Sequence, residues 1–526
     1  MKITLFSLNA SRSHTNLAIR ILRQRLREEG FDKVSLLERT EKERSFDTLA
    51  ALACENADLY GFSCYIWNIA AHLTLAENLK KLRPNVKIVF GGPEVSFEDE
   101  DFLKAHPFID TLLKGEGEET IVTLAKTLSA GEPLPRILCG RPYPDFMHSS
   151  VPYTEDENRV GNILYYESAR GCPYRCAYCL SAAEEHKTVR AKSVDDTLAD
   201  LKRFEAFLDV KVIKFVDRTF NYDKNRAKAI WTALLDPAYT KHYHFEICAS
   251  LLDEESFKIL QRFPKGKLQL EIGVQSTDPT VLEKIDRPND TEAVLNALER
   301  LYRFDNMHIH ADLIAGLPGD SYRSIRKSFD ALYGKCHMLQ LGFLKLLKGS
   351  PLYKRREAYG YCFHSEPPYE VLSSDTLSFD EIMRLKRIEA VLERYVNSGR
   401  FRRSMLVLTD ERSPFCLLEA LADFLPDVTT LSQRDAYVKL LEFDESLDGD
   451  SRATALTDAI TLDFLLNEQG RVPSAIRHCQ VTLTSEEKRK LALRHPDLYI
   501  PSTEVYRLHT LGTFAVDRAH KIYYRL

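Results

Sequence analysis

The stretch Glu167-Ser-Ala-Arg-Gly-Cys-Pro-Tyr-Arg-Cys-Ala-Tyr-Cys-Leu180 packs three cysteines, Cys172, Cys176 and Cys179, into one short loop. A cubane iron–sulfur cluster ordinarily takes four thiolates, one per iron. A loop that supplies three leaves one iron open to something other than protein, and an open iron is a reaction site rather than an electron store. The competing reading is a structural zinc knot, which wants four soft or imidazole ligands in tetrahedral array. His186, just beyond the loop, is the residue that could complete it.

Strand–helix alternation surrounds the loop. Tyr165–Glu167 reads as a strand leading into it, and strands Val212–Val216, His244–Ala249, Leu268–Val274, His308–Ile314 and Met338–Leu346 follow, with helices such as Val194–Phe207 and Thr291–Phe304 between them. Six such units predict a partial (β/α)6 TIM-like barrel with its chemistry at the carboxyl ends of the strands. Upstream, strands Ile3–Leu8, Leu59–Cys64, Lys87–Phe90 and Thr111–Lys114 alternate with helices such as Asn16–Glu29. Each strand ends in a polar or glycine-bearing turn: Asn9-Ala-Ser11, Tyr65-Ile-Trp67, Gly91-Gly-Pro-Glu94 and Gly115-Glu-Gly-Glu118. This predicts a doubly wound, Rossmann-like parallel sheet, with those turns lining one rim of a crevice. Between the two lies a proline-rich extended stretch around Gly131–Pro152. Beyond about 375 the chain turns helical and charged, as in Phe379–Val396 with Ile382, Leu385, Ile388, Val391, Leu392 and Tyr395 at helical spacing. The expected organisation is therefore α/β: 1–130 Rossmann-like, 131–160 linker, 161–365 barrel, and 366–526 mainly helical, either a cap over the barrel mouth or an interaction surface.

Composition bounds the setting. The 526 residues are 44% hydrophobic and 28% charged, as in ordinary globular proteins. No run approaches the roughly eighteen apolar residues of a membrane span. The first residues read as a strand rather than a signal peptide, and eleven cysteines without regular pairing argue for a reducing cytoplasm. With 72 basic against 77 acidic residues, the net charge of −5 does not favour a polyanionic partner, and no nucleic-acid binding is evident.

The cysteine spacing, with aromatic Tyr178 before the last cysteine, resembles the cluster loop of the radical S-adenosylmethionine enzymes. The resemblance implies a [4Fe-4S] cluster whose open iron chelates the amino and carboxylate groups of S-adenosyl-L-methionine, and reductive cleavage of the sulfonium to a 5′-deoxyadenosyl radical. Glu271-Ile-Gly-Val-Gln-Ser276, His310-Ala-Asp-Leu-Ile-Ala-Gly-Leu-Pro-Gly319, Phe215-Val-Asp-Arg-Thr-Phe-Asn221 and Leu346-Leu-Lys-Gly-Ser-Pro-Leu352 resemble strand ends of that family's barrel. By that resemblance Gln275 and Glu246 lie near the ribose or methionine moiety, with the Tyr178 main chain and Leu317 near the adenine. Ser250 stands where relatives often place arginine near the carboxylate. Asp217, an acid at the end of an apolar strand, is either a cofactor contact or a salt-bridged structural residue.

The combination Gly91-Gly-Pro-Glu94 with Gly115-Glu-Gly-Glu118, ahead of the cluster loop, resembles the cobalamin-binding domain that precedes the barrel in one large branch of these enzymes. The implied cobalamin contacts are Asn9, Ser11, Ser63, Tyr65, Trp67, Gly91, Gly92, Pro93, Glu94, Glu116, Gly117 and Glu118, the glycines admitting close approach of a flat ligand. The alternative is a domain that keeps this fold and binds no cofactor. One departure stands out. Some cobalamin domains carry an Asp-x-His-x-x-Gly loop whose histidine ligates cobalt from below. Here Asn9-Ala-Ser-Arg-Ser-His-Thr-Asn16 lacks the acidic and glycine partners, so His14 is expected at a helix start or cofactor edge rather than on the metal. Tyr65, Trp67 and Asn68 are then expected to close the lower face.

Together the resemblances imply a cobalamin-dependent radical methyltransferase acting on an unactivated carbon, served by a flavodoxin- or ferredoxin-type electron donor. Oxidation, cyclisation or rearrangement without methyl transfer stays open, as does a non-catalytic sensor or electron carrier. Methylthiolation would need a second cluster domain, and Cys54, Cys64 and Cys139 are too scattered to form one.

Overall fold

The computed structural model describes residues 1–154, 163–182, 188–287, 290–410, 412–425, 427–446, 453–469, 473–474 and 480–526. His186 lies outside the described residues. Two compact units are present: Met1–Ser324 with Gly342–Ser378, and Ile325–Leu341 with Phe379–Leu526.

The first unit begins with a parallel sheet of β1 (Ile3–Asn9), β2 (Val34–Thr40), β3 (Leu59–Ser63), β4 (Lys87–Gly91), β5 (Thr111–Lys114) and β6 (Ile137–Cys139), in the order β2-β1-β3-β4-β5-β6. Helices α1 (Leu17–Glu28), α2 (Ser45–Glu55), α3 (Ile69–Leu82), α4 (Glu100–Ala105) and α5 (Gly117–Ser129) connect them. Every residue of β1 is buried, because both faces of the sheet are covered. One face packs Phe6, Phe62, Phe90 and Leu79; the other packs Ile3, Leu5, Val89 and Ile121. Strand order reverses between β1 and β3, which opens a crevice at their carboxyl ends. Two strands escaped the sequence pattern. β2 is a half-buried edge strand whose Ser35, Glu38 and Arg39 blur its alternation. β6 sits inside the proline-rich stretch, paired with β5.

The second sheet holds β7 (Ile163–Tyr166), β8 (Val212–Phe215), β9 (His242–Ile247), β10 (Leu268–Gln275), β11 (His308–Ala315) and β12 (Met338–Phe343), in consecutive order. The registered pairs from β7 to β11 are parallel. Helices α6 (Val194–Phe204), α7 (Lys224–Ala233), α8 (Glu254–Gln261), α9 (Thr291–Arg303) and α10 (Tyr322–Leu332) alternate with the strands, as a partial barrel requires. Burial along β10 alternates strictly: Leu268, Leu270, Ile272 and Val274 are buried, while Gln269, Glu271, Gly273 and Gln275 are half-buried. One face of the strand is thus apolar and the other polar.

In the second unit, Phe379–Val391 is helical and continues into a π-helical turn; Ile382, Leu385, Ile388, Val391, Leu392 and Tyr395 are all buried, as their spacing predicts. Further helices run over Arg402–Thr409, Pro414–Phe424, Gln433–Ser446 and Ala453–Asn467. The last of these buries Asp463, which accepts from the Ser404 N–H and hydroxyl at 2.8 Å each, and Asp458, which caps the turn at His509 and Thr510. An antiparallel sheet of Gln480–Val481, Thr503–Leu508, Gly512–Asp517 and Ile522–Arg525, not anticipated from the sequence, closes the chain. No described helix is long and apolar enough to cross a membrane.

Candidate active site

β7 delivers the cysteine loop to the carboxyl end of the barrel. The loop is fastened on both sides: the Ala177 N–H donates to Ile285 O at 2.8 Å, the Leu352 N–H donates to Ala177 O at 2.7 Å, and the Cys179 N–H donates to Cys176 O at 3.0 Å. Cys176 is buried, and Cys172 and Cys179 are half-buried. Burial pushes the Cys172 thiol up, against the Tyr174 backbone N–H that donates to it. Burial likewise raises the Tyr178 hydroxyl, close to the sulfurs of Cys176 and Cys179. Among the described residues no group of three His, Cys, Asp or Glu side chains is poised to hold a lone ion. A cubane makes a different demand, one thiolate at each of three corners, and three soft sulfurs on one loop fit it.

At the barrel mouth, Asp217 is buried and takes the Ser168 N–H at 2.8 Å and the Ser168 hydroxyl at 2.5 Å, while Arg226 donates to the same hydroxyl at 2.9 Å. Burial pushes the Asp217 carboxyl up to about 6. Both of its oxygens are spent on holding the start of the cysteine loop, and its neighbour Arg218 pairs with Glu246 instead. Ser250 Oγ lies 3.2 Å from Cys248 Sγ. Leu317 is buried just past β11. Gln275 is different: its backbone is left-handed, at φ 71°, and its buried Oε1 has no hydrogen-bond partner. A strained residue presenting an unsatisfied acceptor at a strand end suits a ligand that donates there.

On the Rossmann-like rim, Asn9 donates to His14 O and Glu38 Oε1, and Ser63 accepts from Asn16. Ser11 caps the loop that leads to His14. Tyr65 and Trp67 stack with ring centroids 4.5 Å apart, and Trp67 is 54% exposed, a bare aromatic face beside the crevice. Asn68 is buried, tying Leu8 O and Ser63 O together. Gly92, at φ 120°, cannot carry a side chain because a Cβ would fall 2.5 Å from Cys64 O. That glycine serves the approach of two strand ends to each other. Pro93 is exposed and Gly91 half-buried. Glu94 accepts from the Tyr369 hydroxyl and its carboxyl is raised by burial. Gly117 begins α5 against Leu22.

Glu116 and Glu118 are committed to ion pairs. Arg170, two residues before Cys172, lies 2.7 Å from Glu116, 2.8 Å from Glu118 and 2.8 Å from Glu167, and Arg190 also pairs with Glu116. Burial opposes ionisation of Glu116, but Arg170, the Tyr143 N–H and Arg190 hold its carboxyl below the usual range. His14 Nδ1 lies 2.6 Å from the Tyr165 hydroxyl on β7. Burial, with Lys214 nearby, lowers its pKa.

Sequence reasoning missed the polar face of the barrel. Glu271 Oε2 lies 2.9 Å from His244 Nε2 and 3.3 Å from Lys214 Nζ, and His310 Nε2 lies 3.1 Å from Asp312. Against its burial, His244 and Lys214 hold the Glu271 carboxyl down at about 2. The signal was the polar half of the alternation in Leu268–Gln275. Arg287, whose Nη1 donates to Cys176 Sγ at 3.3 Å, was also missed.

Residues 4–125 match the family model described as a B12 binding domain, residues 166–332 match the Radical SAM superfamily, and residues 357–507 match a protein family of unknown function, DUF4080. The chain is 28% identical over 337 residues to the cobalamin-dependent radical SAM methyltransferase TokK of Streptomyces tokunonensis, covering 58% of this chain and 49% of the relative. It is 26% identical over 349 residues to 2-(S-pantetheinyl)-carbapenam-3-carboxylate methyltransferase of Streptantibioticus cattleyicolor, covering 60% and 51%. The chain thus spans about half the length of these curated relatives. The solved structure of the cobalamin-dependent S-adenosylmethionine radical enzyme OxsB, with aqua-cobalamin and S-adenosylmethionine bound, superposes with a TM-score of 0.60 at 16% identity over 88% of this chain and 78% of the other, a likeness of fold.

Proposed function

We propose that this chain, which belongs to the radical S-adenosylmethionine enzymes that carry a cobalamin-binding domain, is a methyltransferase acting on an unactivated carbon. One observation carries the proposal: the carboxyl-end rims of the two sheets are bolted together within one compact unit. His14 meets Tyr165, Glu94 meets Tyr369, and Glu116 with Glu118 meets Arg170. Ligands held on the two rims would face a shared space.

Cys172, Cys176 and Cys179 would hold the [4Fe-4S] cluster. Gln275, Glu246, Ser250, Leu317 and the Tyr178 main chain would hold S-adenosyl-L-methionine, with Asp217 fixing the loop rather than the ligand. Asn9, Ser11, Ser63, Tyr65, Trp67, Gly91–Glu94 and the backbone of Glu116–Glu118 would hold cobalamin. When bound, these groups supply a carbon-centred radical that abstracts hydrogen and a methyl group that can be transferred. The protein's own part is to orient the partners, exclude water and keep Glu271 ionised beside His244 and Lys214 on the polar face of the barrel, where substrate functional groups can be recognised. The working organisation is 1–130 cobalamin domain, 131–160 linker apart from β6, which it lends to the first sheet, 161–365 barrel and 366–526 a further domain. A low-potential flavodoxin- or ferredoxin-type donor and a cytoplasmic setting go with it.

The test is anaerobic incubation of the reconstituted, reduced protein with S-adenosylmethionine, cobalamin and candidate substrates. Formation of both 5′-deoxyadenosine and S-adenosylhomocysteine is expected. Formation of 5′-deoxyadenosine alone would mean a radical reaction without methylation, and absence of both would leave a sensor or electron carrier.

A further inference from the structure

We infer that Arg287 tunes the cluster, raising its reduction potential through the hydrogen bond its guanidinium gives the Cys176 sulfur; this rests on the cofactor assignment above. The two residues are 111 positions apart, and the fold brings them together on purpose-built geometry. Arg287 follows the short helix Pro279–Lys284, and its N–H donates to Leu282 O at 3.0 Å. Nη2 donates to Gly273 O on β10, while Nη1 reaches Cys176 Sγ at 3.3 Å. Two residues earlier, Ile285 O takes the Ala177 N–H at 2.8 Å, so the same segment grips the cysteine loop at the consecutive residues Cys176 and Ala177. The guanidinium is a fixed fork bridging a strand end and a cluster ligand.

The physical consequence follows from charge. Reducing the cluster by one electron places added negative charge on its iron and sulfur atoms. A donor aimed at a ligating sulfur stabilises the reduced state more than the oxidised one, which raises the potential. Guanidinium remains protonated at any working pH, so its charge is permanent. The Cys176 side is also the best shielded, since that cysteine is only 6% exposed, and solvent screens the interaction weakly there. The Cys172 sulfur receives the neutral Tyr174 backbone N–H instead. The cationic hydrogen bond is therefore delivered at one corner, while Arg287 also acts through space on Cys172 and Arg218 on Cys179. A bland alternative is that Arg287 merely pins the loop; a potential measurement separates the two, because pinning leaves the potential of an intact cluster unchanged.

The experiment reconstitutes the full chain and its Arg287→Gln and Arg287→Lys variants anaerobically with iron and sulfide, without S-adenosylmethionine. Each is titrated with dithionite, which supplies the electron, and the reduced cluster is followed by electron paramagnetic resonance. The expected order of potentials is wild type highest, Arg287→Lys intermediate and Arg287→Gln lowest, at equal iron and sulfide content. A fully loaded Arg287→Gln protein with the wild-type potential overturns the proposal, and so does loss of the cluster from both variants, which would assign Arg287 to holding the loop. Wild-type protein that takes up no reducible cluster is a separate failure, of the cofactor assignment itself, and takes the proposal with it.

Discussion

Both rims of the first unit spend their acids on partners, Glu246 on Arg218 and Glu271 on His244 and Lys214 included, and they differ in one residue. On the Rossmann-like side the acids are spent: Glu116 and Glu118 are locked to Arg170 and Arg190, and Glu94 is held by Tyr369. On the barrel side Gln275 is left strained and with an acceptor unsatisfied. The contrast separates scaffold from site. Paired, buried charges hold two domains in register, whereas an unpaired polar atom in a costly conformation is what a ligand can use. The barrel side also has its own scaffold acid in Asp217, whose Ser168 contacts secure the cysteine loop.

The sharpest way to break this comparison is Glu116→Gln. It leaves Arg170 and Arg190, both half-buried, with one carboxylate fewer, and of these two arginines Glu118 and Glu167 reach Arg170. A destabilisation of about 3 kcal/mol is expected by urea unfolding of the apoprotein; a change within error would mean that the ion pairs do not hold the rims together.

Glu271 gives a next, pH-dependent test. Its carboxyl is held down at about 2 by His244 and Lys214, with His310 also near, against an ordinary value of 4.5. A depressed acid contributes stability that is complete above its unfolded pKa and is lost as pH falls through the folded one. The loss should therefore run from about pH 4.5 down toward about 2 and amount to roughly 3 kcal/mol. In Glu271→Gln this part of the acid limb should vanish from the pH dependence of the urea midpoint; an unaltered limb would assign acid unfolding to other groups.

The smallest effect has the most diagnostic sign. Gln275→Gly relieves a left-handed backbone and removes an orphaned acceptor, so apoprotein stability should rise by about 1 kcal/mol or hold level. Affinity for S-adenosylmethionine should fall roughly tenfold, the worth of one hydrogen bond. Calorimetric titration of the reconstituted variant checks it, and unchanged affinity would place Gln275 among the scaffold residues.

What was legible in the sequence was local. Cys172, Cys176 and Cys179 lie on one loop, the turns after β1, β3, β4 and β5 follow their strands directly, and the buried stripe of Phe379–Tyr395 repeats at helical period. What stayed hidden depends on register between distant segments. Lys214 opposes His244, Glu246 opposes Glu271, and Glu271 opposes His310 only once four strands are aligned. Glu116 showed as part of a glycine turn, but its partners Arg170 and Arg190 lie far along the chain. β6 was hidden by prolines that flank a strand as readily as they make a linker.

The central claim is a cubane held by a trio of thiolates with one iron left free for S-adenosylmethionine. Electron paramagnetic resonance of the reduced, reconstituted protein before and after S-adenosylmethionine is added tests it most directly. The spectrum should change on addition, because the ligand binds iron. Identical spectra from a fully loaded cluster would mean that the fourth corner is already closed by protein, and the proposed chemistry would have no place to start.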